Sequence, residues 1–274
     1  MISAKGDWWL PETNGGFFGE NYKKGDDSKE GPCPIHPQVL DARTEREIAY
    51  LKLKLQLKEG DSILDCPCGY GRHSVKLAGL GLRVVGIDIN PGYIDIANRE
   101  AQRILAPESR PRFELSDMRK LPLEDSSFDF CVNMFTSFGF FERDEEDEKV
   151  ITEFHRVLKT GGKLLIHFDY NYYKVQNGTW AENRTRTLKG GFMLRVFDEL
   201  SEDGKYIYGY WQILNNRAVV FERAYRLRAY SPEELTAMLV DSGFRKPVFF
   251  GTLDKPKKIL DTYDCESVVV AERA

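Results

Sequence analysis

From residue 61 onward, short apolar, β-rich runs alternate with helix-length amphipathic segments. That alternation leaves few folds open, because it builds parallel strands joined by crossover helices. Residues 62–66 (SILDC) read as a strand ending in a turn, and 72–80 as a helix with apolar residues at helical spacing. Residues 82–88 (LRVVGID) form a second strand, after which Pro91 opens a helix, where a missing amide hydrogen is harmless. Further strands are expected at 111–116, 128–133 and 163–168. A helix over 144–158 should end at a basic turn and the Gly161-Gly162 stop.

The next stretch changes character. Residues 192–200, 205–214 and 217–230 read as three strands separated by Ser201-Glu202-Asp203-Gly204 and Asn215-Asn216, good hairpin turns that make neighbouring strands antiparallel. Ser231-Pro232-Glu233-Glu234 then starts a helix with its cap, first-turn proline and early acids, and 244–251 and 266–271 supply closing strands. An antiparallel insertion of about 40 residues thus interrupts an α/β domain. The first 60 residues are irregular around Gly15-Gly16 and Gly31-Pro32-Cys33-Pro34, with a helix at 44–57. Trp8, Trp9, Phe17, Phe18 and Tyr22 are too aromatic for a solvated tail, so this segment is expected to cap the site at the strand ends. The expected units are 1–60, an N-terminal cap and helix; 61–170, the core; 171–230, the insertion; and 231–274, completion of the core sheet.

A chain of 274 residues with 42% apolar content suits one sizeable core with additions. No apolar run approaches the length of a membrane span, and MISAKGDWWLPETNGG does not read as a secretion signal, so a cytoplasmic protein without a membrane partner is expected. A net charge of −4 with no basic stripe disfavours nucleic acid as a partner. The cysteines at 33, 66, 68, 131 and 265 lack paired zinc-ligand spacing and read as reduced thiols, with no metal site.

The chemistry concentrates between the first strand and the first helix, in Asp65-Cys66-Pro67-Cys68-Gly69-Tyr70-Gly71-Arg72-His73. Gly69 and Gly71 permit a tight turn and close backbone approach by a nucleotide-like ligand. Asp88, at the tip of the second strand, is placed to take both ribose hydroxyls. A nicotinamide cofactor satisfies the same two observations. Two details favour a cationic sulfonium instead: Ser74 stands where a dinucleotide pattern has its third glycine, and Asp65 would repel a pyrophosphate.

Four stretches, ILDCPCGYGRH, VVGIDINPGYIDIAN, LSDMRKLPLEDSSFDFCVNMFTSFGFF and LKTGGKLLIHFDYN, resemble the class I S-adenosylmethionine-dependent methyltransferases, of the bacterial group acting on small molecules. The resemblance implies a Rossmann-like, seven-stranded, mostly parallel sheet with S-adenosylmethionine as cofactor. It implies that Gly69 and Gly71, with Asp65, line the methionine end, that Asp88 meets the ribose, Asp117 and Met118 the adenine, and Asn133 and Met134 the sugar and sulfonium, with Ile89 also on the cofactor. Pro67 departs from the glycine usual at its place, and Asn133-Met134-Phe135-Thr136 is unlike the element of amino-methylating DNA enzymes. Asp41-Ala42-Arg43-Thr44-Glu45 is similar to an R-T element of glycine N-methyltransferase-like proteins, which implies Arg43 as a clamp on the cofactor carboxylate, with Tyr22 nearby.

Methyl transfer from sulfonium is an in-line displacement, so the protein must chiefly position a nucleophile. Asp169, after the fifth strand, is the first candidate to orient or deprotonate a small-molecule amine or hydroxyl, with Tyr22 and Tyr172 as further candidates. His167 reads as a core histidine, the arginines of the insertion as a solvated face, and 142–149 (ERDEEDEK) as an exposed helix start with no site. The insertion either covers the acceptor or makes a homodimer contact. The competing functions are a nicotinamide-dependent oxidoreductase and a non-catalytic binding module for S-adenosylmethionine.

Overall fold

A computed structural model of the chain describes residues 6–27, 40–180, 184–255 and 257–274. Cys33 and the Gly31-Pro32-Cys33-Pro34 segment lie outside the described residues. Two helices, α1 (Glu20–Asp26) and α2 (Leu40–Leu55), precede the core, so α2 starts four residues before the expected 44. The core then runs β1 (Ser62–Asp65), α3 (Arg72–Gly79), β2 (Arg83–Asp88), α4 (Pro91–Ile104), β3 (Arg112–Leu115), β4 (Phe128–Asn133), α5 (Asp144–Val157), β5 (Leu158–Phe168) and the short α6 (Tyr172–Gln176). The insertion follows as β6 (Arg184–Thr187), β7 (Met193–Leu200), β8 (Tyr206–Asn215) and β9 (Ala218–Arg228). Helix α7 (Pro232–Asp241), β10 (Phe244–Phe250) and β11 (Ser267–Arg273) close the chain.

The main sheet has the order β10-β11-β5-β4-β1-β2-β3. Only β11 runs against the others, pairing antiparallel with both β5 and β10. β1 pairs in parallel with β2 on one side and β4 on the other, so the strand order reverses beside β1. In open α/β sheets ligands bind in the crevice beyond the strand ends at such a point. The central strands are apolar on both faces, as a sheet covered on both sides requires. Ile63, Val132, Leu165 and Val268 pack toward α2 and α3, while their neighbours Leu64, Cys131, Leu164 and Val269 pack toward α5 and α7, all at most 1% exposed.

Capping fixes the helix starts next to the site. The Asn90 side chain accepts from the amides of Gly92 and Tyr93 at 3.0 and 3.3 Å, with Pro91 at the first helical position of α4. Ser231 and Glu234 form a reciprocal capping box on α7.

Four expectations need correction. Gly161 and Gly162 do not stop a helix. α5 ends at Val157, and the chain enters β5 at once, carrying the glycines as a bulge, with Phe128 opposite Leu158 and Phe130 opposite Lys163. Gly161 has φ 76°, and a Cβ on Gly162 would stand 2.8 Å from the Lys159 carbonyl, so the bulge needs both glycines. Second, the insertion has four strands: β6, missed because RTRT carries no apolar residue, adds an edge to β7. Third, Arg228 does not belong to a solvated face. It is 3% exposed and pairs with Glu234 at 2.6 Å and Asp144 at 3.3 Å.

The fourth concerns the acidic run before α5. Asp147 is fully buried, accepting from Tyr230 Oη at 3.0 Å and the Gly139 amide at 3.3 Å. Its spacing from Val150, Ile151 and Phe154 puts it on the helix's core face. Burial pushes its carboxyl up to about 7 from an ordinary value near 3.8. The folded protein therefore holds a proton that the unfolded chain has released, and this group's contribution to stability falls as pH rises between those two values. Asp147→Asn keeps an acceptor oxygen and is expected to flatten that part of the pH–stability profile. Thermal melts from about pH 5 to about pH 8 check this, and equal slopes in both proteins would count against the assignment.

Candidate functional site

The first turn of the sheet builds one cavity. Beyond β1 the chain turns through a cis Cys66–Pro67 bond to Gly69 (φ 55°) and Gly71 (φ 82°) before α3 begins. No atom lies within 4 Å of where a Gly69 Cβ would stand, so its backbone is open. A Cβ on Gly71 would meet Ala97 at 2.7 Å, so that glycine serves the packing of α3 on α4. Asp88, 7% exposed at the tip of β2, accepts from the Gly69 amide through Oδ2 and the Asn90 amide through Oδ1, both at 2.8 Å. Burial raises its carboxyl to about 6, a pull the backbone donors oppose. The cavity that Gly69 and Asp88 line holds ≈ 940 Å³ of empty space including its mouth, with Ile89, Asp117, Met118 and Met134 also on its walls.

A second cavity of ≈ 1520 Å³ adjoins it, between the ends of β4 and β5 and the inner face of the β6–β9 sheet. Six residues line both: Phe18, Tyr22, Asp26, Phe135, Ser137 and Phe140. The N-terminal segment supplies half of that shared wall. It is held over the core by Asn90 Nδ2 donating to the Phe18 carbonyl at 2.9 Å and Tyr93 Oη donating to the Gly19 carbonyl at 3.0 Å. Trp8, Phe17, Phe18 and Phe140 pack edge-on and stacked, and Tyr22 lies flat on Trp211 with centroids 5.2 Å apart. The aromatic segment thus lies against the core and packs on the insertion.

Buried charge ties the cap to the turn. Arg43, 1% exposed, pairs with Asp26 of α1, and Tyr70 Oη donates to the other oxygen of Asp26 at 2.5 Å. Burial pushes Asp26 up, but Arg43 and Arg72 outweigh it and hold the carboxyl below its ordinary range. Glu47 receives Arg72 Nη1 and His73 Nε2, the latter at 2.7 Å. Despite burial, Arg72 and the His73 hydrogen bond hold Glu47 well below the usual carboxylate range. His73 is driven down to about 4 by burial and by Arg72, so it is neutral at pH 7 and donates from Nε2. The Arg43 guanidinium also stands 4.4 Å over the Phe135 ring.

The sequence-predicted residues divide accordingly. Gly69, Asp88, Ile89, Asp117, Met118 and Met134 come together on the first cavity, and Tyr22 on both. Asp117 is engaged by Arg119, Nη2 to Oδ2 at 2.6 Å. Arg43 lines the second cavity and is committed to Asp26. Gly71, Asp65 and Asn133 line neither: Gly71 packs against Ala97, and the other two are fully buried behind the turn, where Asp65 accepts from Ser74 Oγ at 2.5 Å and Asn133 Nδ2 donates to the Cys66 carbonyl at 3.0 Å. Burial raises Asp65 to about 7, so it is not the fixed anion expected to face a cation. Tyr172 begins α6 and lines neither cavity. His167 is 1% exposed, accepts from the Phe135 amide at 3.2 Å and faces Glu266 at 3.3 Å, the core histidine foreseen, although it also borders the second cavity. Asp26, Glu47 and Phe135 were missed, and nothing local in the sequence marks them. The Cys66, Cys68 and Cys131 thiols are buried and pushed well up, hence unreactive. Among the described residues no group of metal-binding side chains forms, and no helix is long and apolar enough to cross a membrane.

Known proteins resemble this chain in sequence and in fold. Residues 63–162 match the family model described as "Methyltransferase domain". The chain is 28% identical over 136 residues to the sterol 4-C-methyltransferase strm-1 of Caenorhabditis elegans, covering 50% of this chain and 39% of that protein. It spans less than half the length of the first curated relatives it matches. Its fold is similar to that of the CcbJ methyltransferase from Streptomyces caelestis, with a TM-score of 0.74 at 18% identity, covering 91% of this chain and 95% of that one. It is also similar to an S-adenosylmethionine-dependent methyltransferase from Clostridium acetobutylicum, with a TM-score of 0.69 at 15% identity, covering 84% and 92%. Residues 63–162 are therefore a methyltransferase domain, on a main sheet with the Rossmann-like fold of S-adenosylmethionine-dependent methyltransferases.

Proposed function

We propose that the chain transfers a methyl group from S-adenosylmethionine to an amine or hydroxyl of a small molecule. The observation that carries this reading is the pair of cavities sharing one wall at Phe18, Tyr22, Asp26, Phe135, Ser137 and Phe140. Such a pair suits a donor on one side and an acceptor on the other, in line across the wall. The first cavity's residues fit the donor: the open Gly69 backbone admits the methionine chain, the Asp88 carboxylate the ribose hydroxyls, and the apolar side chains of Ile89 and Met118 the adenine. When bound, S-adenosylmethionine supplies a methyl group on a cationic sulfur. Tyr22 is part of the shared wall, Arg43 stands next to it, and Asp169 opens into the second cavity, where it can orient the incoming nucleophile.

A nicotinamide cofactor fits less well. Ser74 is fully buried and bonded to Asp65 in the first turn of α3, where a pyrophosphate needs a bare helix N-terminus. Calorimetric titration with S-adenosylmethionine, S-adenosylhomocysteine and NADH separates the two. The sulfur compounds are expected to bind and NADH to leave no heat, and binding of NADH alone would overturn the reading. Binding without transfer to any amine or hydroxyl would make the chain a sensor of the cofactor rather than an enzyme.

A further inference from the structure

The second cavity holds a carboxylate whose charge the protein leaves unanswered. Asp169 is exposed into it at the end of β5, and no described residue makes an ion pair to it. Most of the other charges there are ion-paired: Arg43 with Asp26, Arg46 with Glu266, and Glu47 with Arg72. Asp198 takes the Tyr225 hydroxyl, Arg186 stands 5.7 Å over Trp211, and Lys174 reaches Cys265 Sγ at 3.2 Å. Asp169 is also held in place. The Thr136 hydroxyl donates to its carboxylate and accepts from its amide at 2.7 Å. That clamp is bought with left-handed backbone at two successive non-glycine residues, Phe135 (φ 59°) and Thr136 (φ 56°), a conformation that persists only where the surroundings enforce it. Beyond the carboxylate the walls turn apolar, with Trp180, Val196, Ile207 and Leu227.

We infer that the acceptor is an ammonium-bearing small molecule with an apolar body, its cationic nitrogen seated against Asp169. This rests on the methyl-transfer reading above and selects the amine over the hydroxyl. A carboxylate fixed in position attracts an ammonium, whereas a neutral hydroxyl answers none of its charge. The chemistry balances. The ammonium gives one proton to the Asp169 carboxylate, and the nitrogen lone pair then forms the N–C bond. The C–S bond breaks with its electrons going to sulfur, leaving a neutral thioether and a methylated ammonium.

The test uses the full chain with S-adenosylhomocysteine present and three probes of one body: phenethylamine, 2-phenylethanol and phenylacetate. By calorimetry the amine is expected to bind about tenfold or more tightly than the alcohol, and Asp169→Asn to erase that margin. Because Asp169 lines only the second cavity, the variant should bind S-adenosylhomocysteine like the parent, which also reports an intact fold. Equal binding of amine and alcohol, a preference for phenylacetate, binding of none of the three, or a margin that survives in Asp169→Asn would each overturn the inference. If S-adenosylhomocysteine binds throughout, those outcomes leave the methyl-transfer reading standing. If it does not bind, that reading fails first and the inference with it.

Discussion

Asp88→Ala is expected to weaken S-adenosylmethionine binding by roughly 10²–10⁴-fold, the loss of two hydrogen bonds to a charged acceptor at about 1.5–3 kcal/mol each. The carboxylate is fixed by the amides of Gly69 and Asn90, so its remaining lone pairs face the cavity without rearrangement. With the acid near 6 in the unliganded protein, affinity should decline as pH is lowered through that value, because protonation removes an acceptor. Asp88→Asn separates the two parts of the effect. The amide can still receive the Gly69 amide and keep the turn, yet it brings no charge to the ribose. Its affinity is expected to fall between parent and alanine variant and to lose the pH dependence. An alanine variant that folds and binds like the parent would remove the ribose role from Asp88.

The sheet and the first cavity were legible because their signals are local. SILD, RVVGID and FDFCVN are short, apolar and punctuated, and Gly69, Gly71 and Asp88 lie within one strand–helix–strand unit. What could not be read depends on contacts distant along the chain. Asp26 matters because it meets Arg43 and Tyr70, partners that no spacing rule connects to it. Thr136 and Asp169 are joined only because β4 and β5 are neighbours in the sheet. Gly161-Gly162 shows a different limit, since glycines after a basic turn suit a helix stop and a strand bulge alike. Here the pairing of β5 with β4 decides in favour of the bulge. Asp147 was readable in principle: its helical spacing from Val150, Ile151 and Phe154 is visible, but the surrounding charges hid it.

The largest expected loss of stability comes from Glu47→Gln. Glu47 is 1% exposed and is the acceptor on which Arg72, 13% exposed in its side chain, and His73 converge, with Arg43 Nε at 3.8 Å. Removing its charge leaves Arg72 and His73 to share one neutral amide oxygen, with the Thr44 hydroxyl at 3.0 Å as a further acceptor for Arg72. Breaking a buried pair from one side costs about 3–5 kcal/mol, because the surviving charge is stranded rather than because the pair itself is worth that much. In a chain of this length the loss corresponds to a fall in melting temperature of about 10 °C. The same two helices contain the control. Glu45 of α2 pairs with Lys76 of α3 at 2.5 Å, but the side chains are 59% and 48% exposed, and water already screens them. Glu45→Gln should therefore cost under about 1 kcal/mol. Glu47 is held well below the usual carboxylate range, so its contribution is fully present above the unfolded value of about 4.3 and is lost as pH falls through the lower folded value. Parent and Glu47→Gln should thus differ most near neutral pH and converge in acid. If the two variants melt together at pH 7, the buried charge network is not what holds the cap-side helix to the turn.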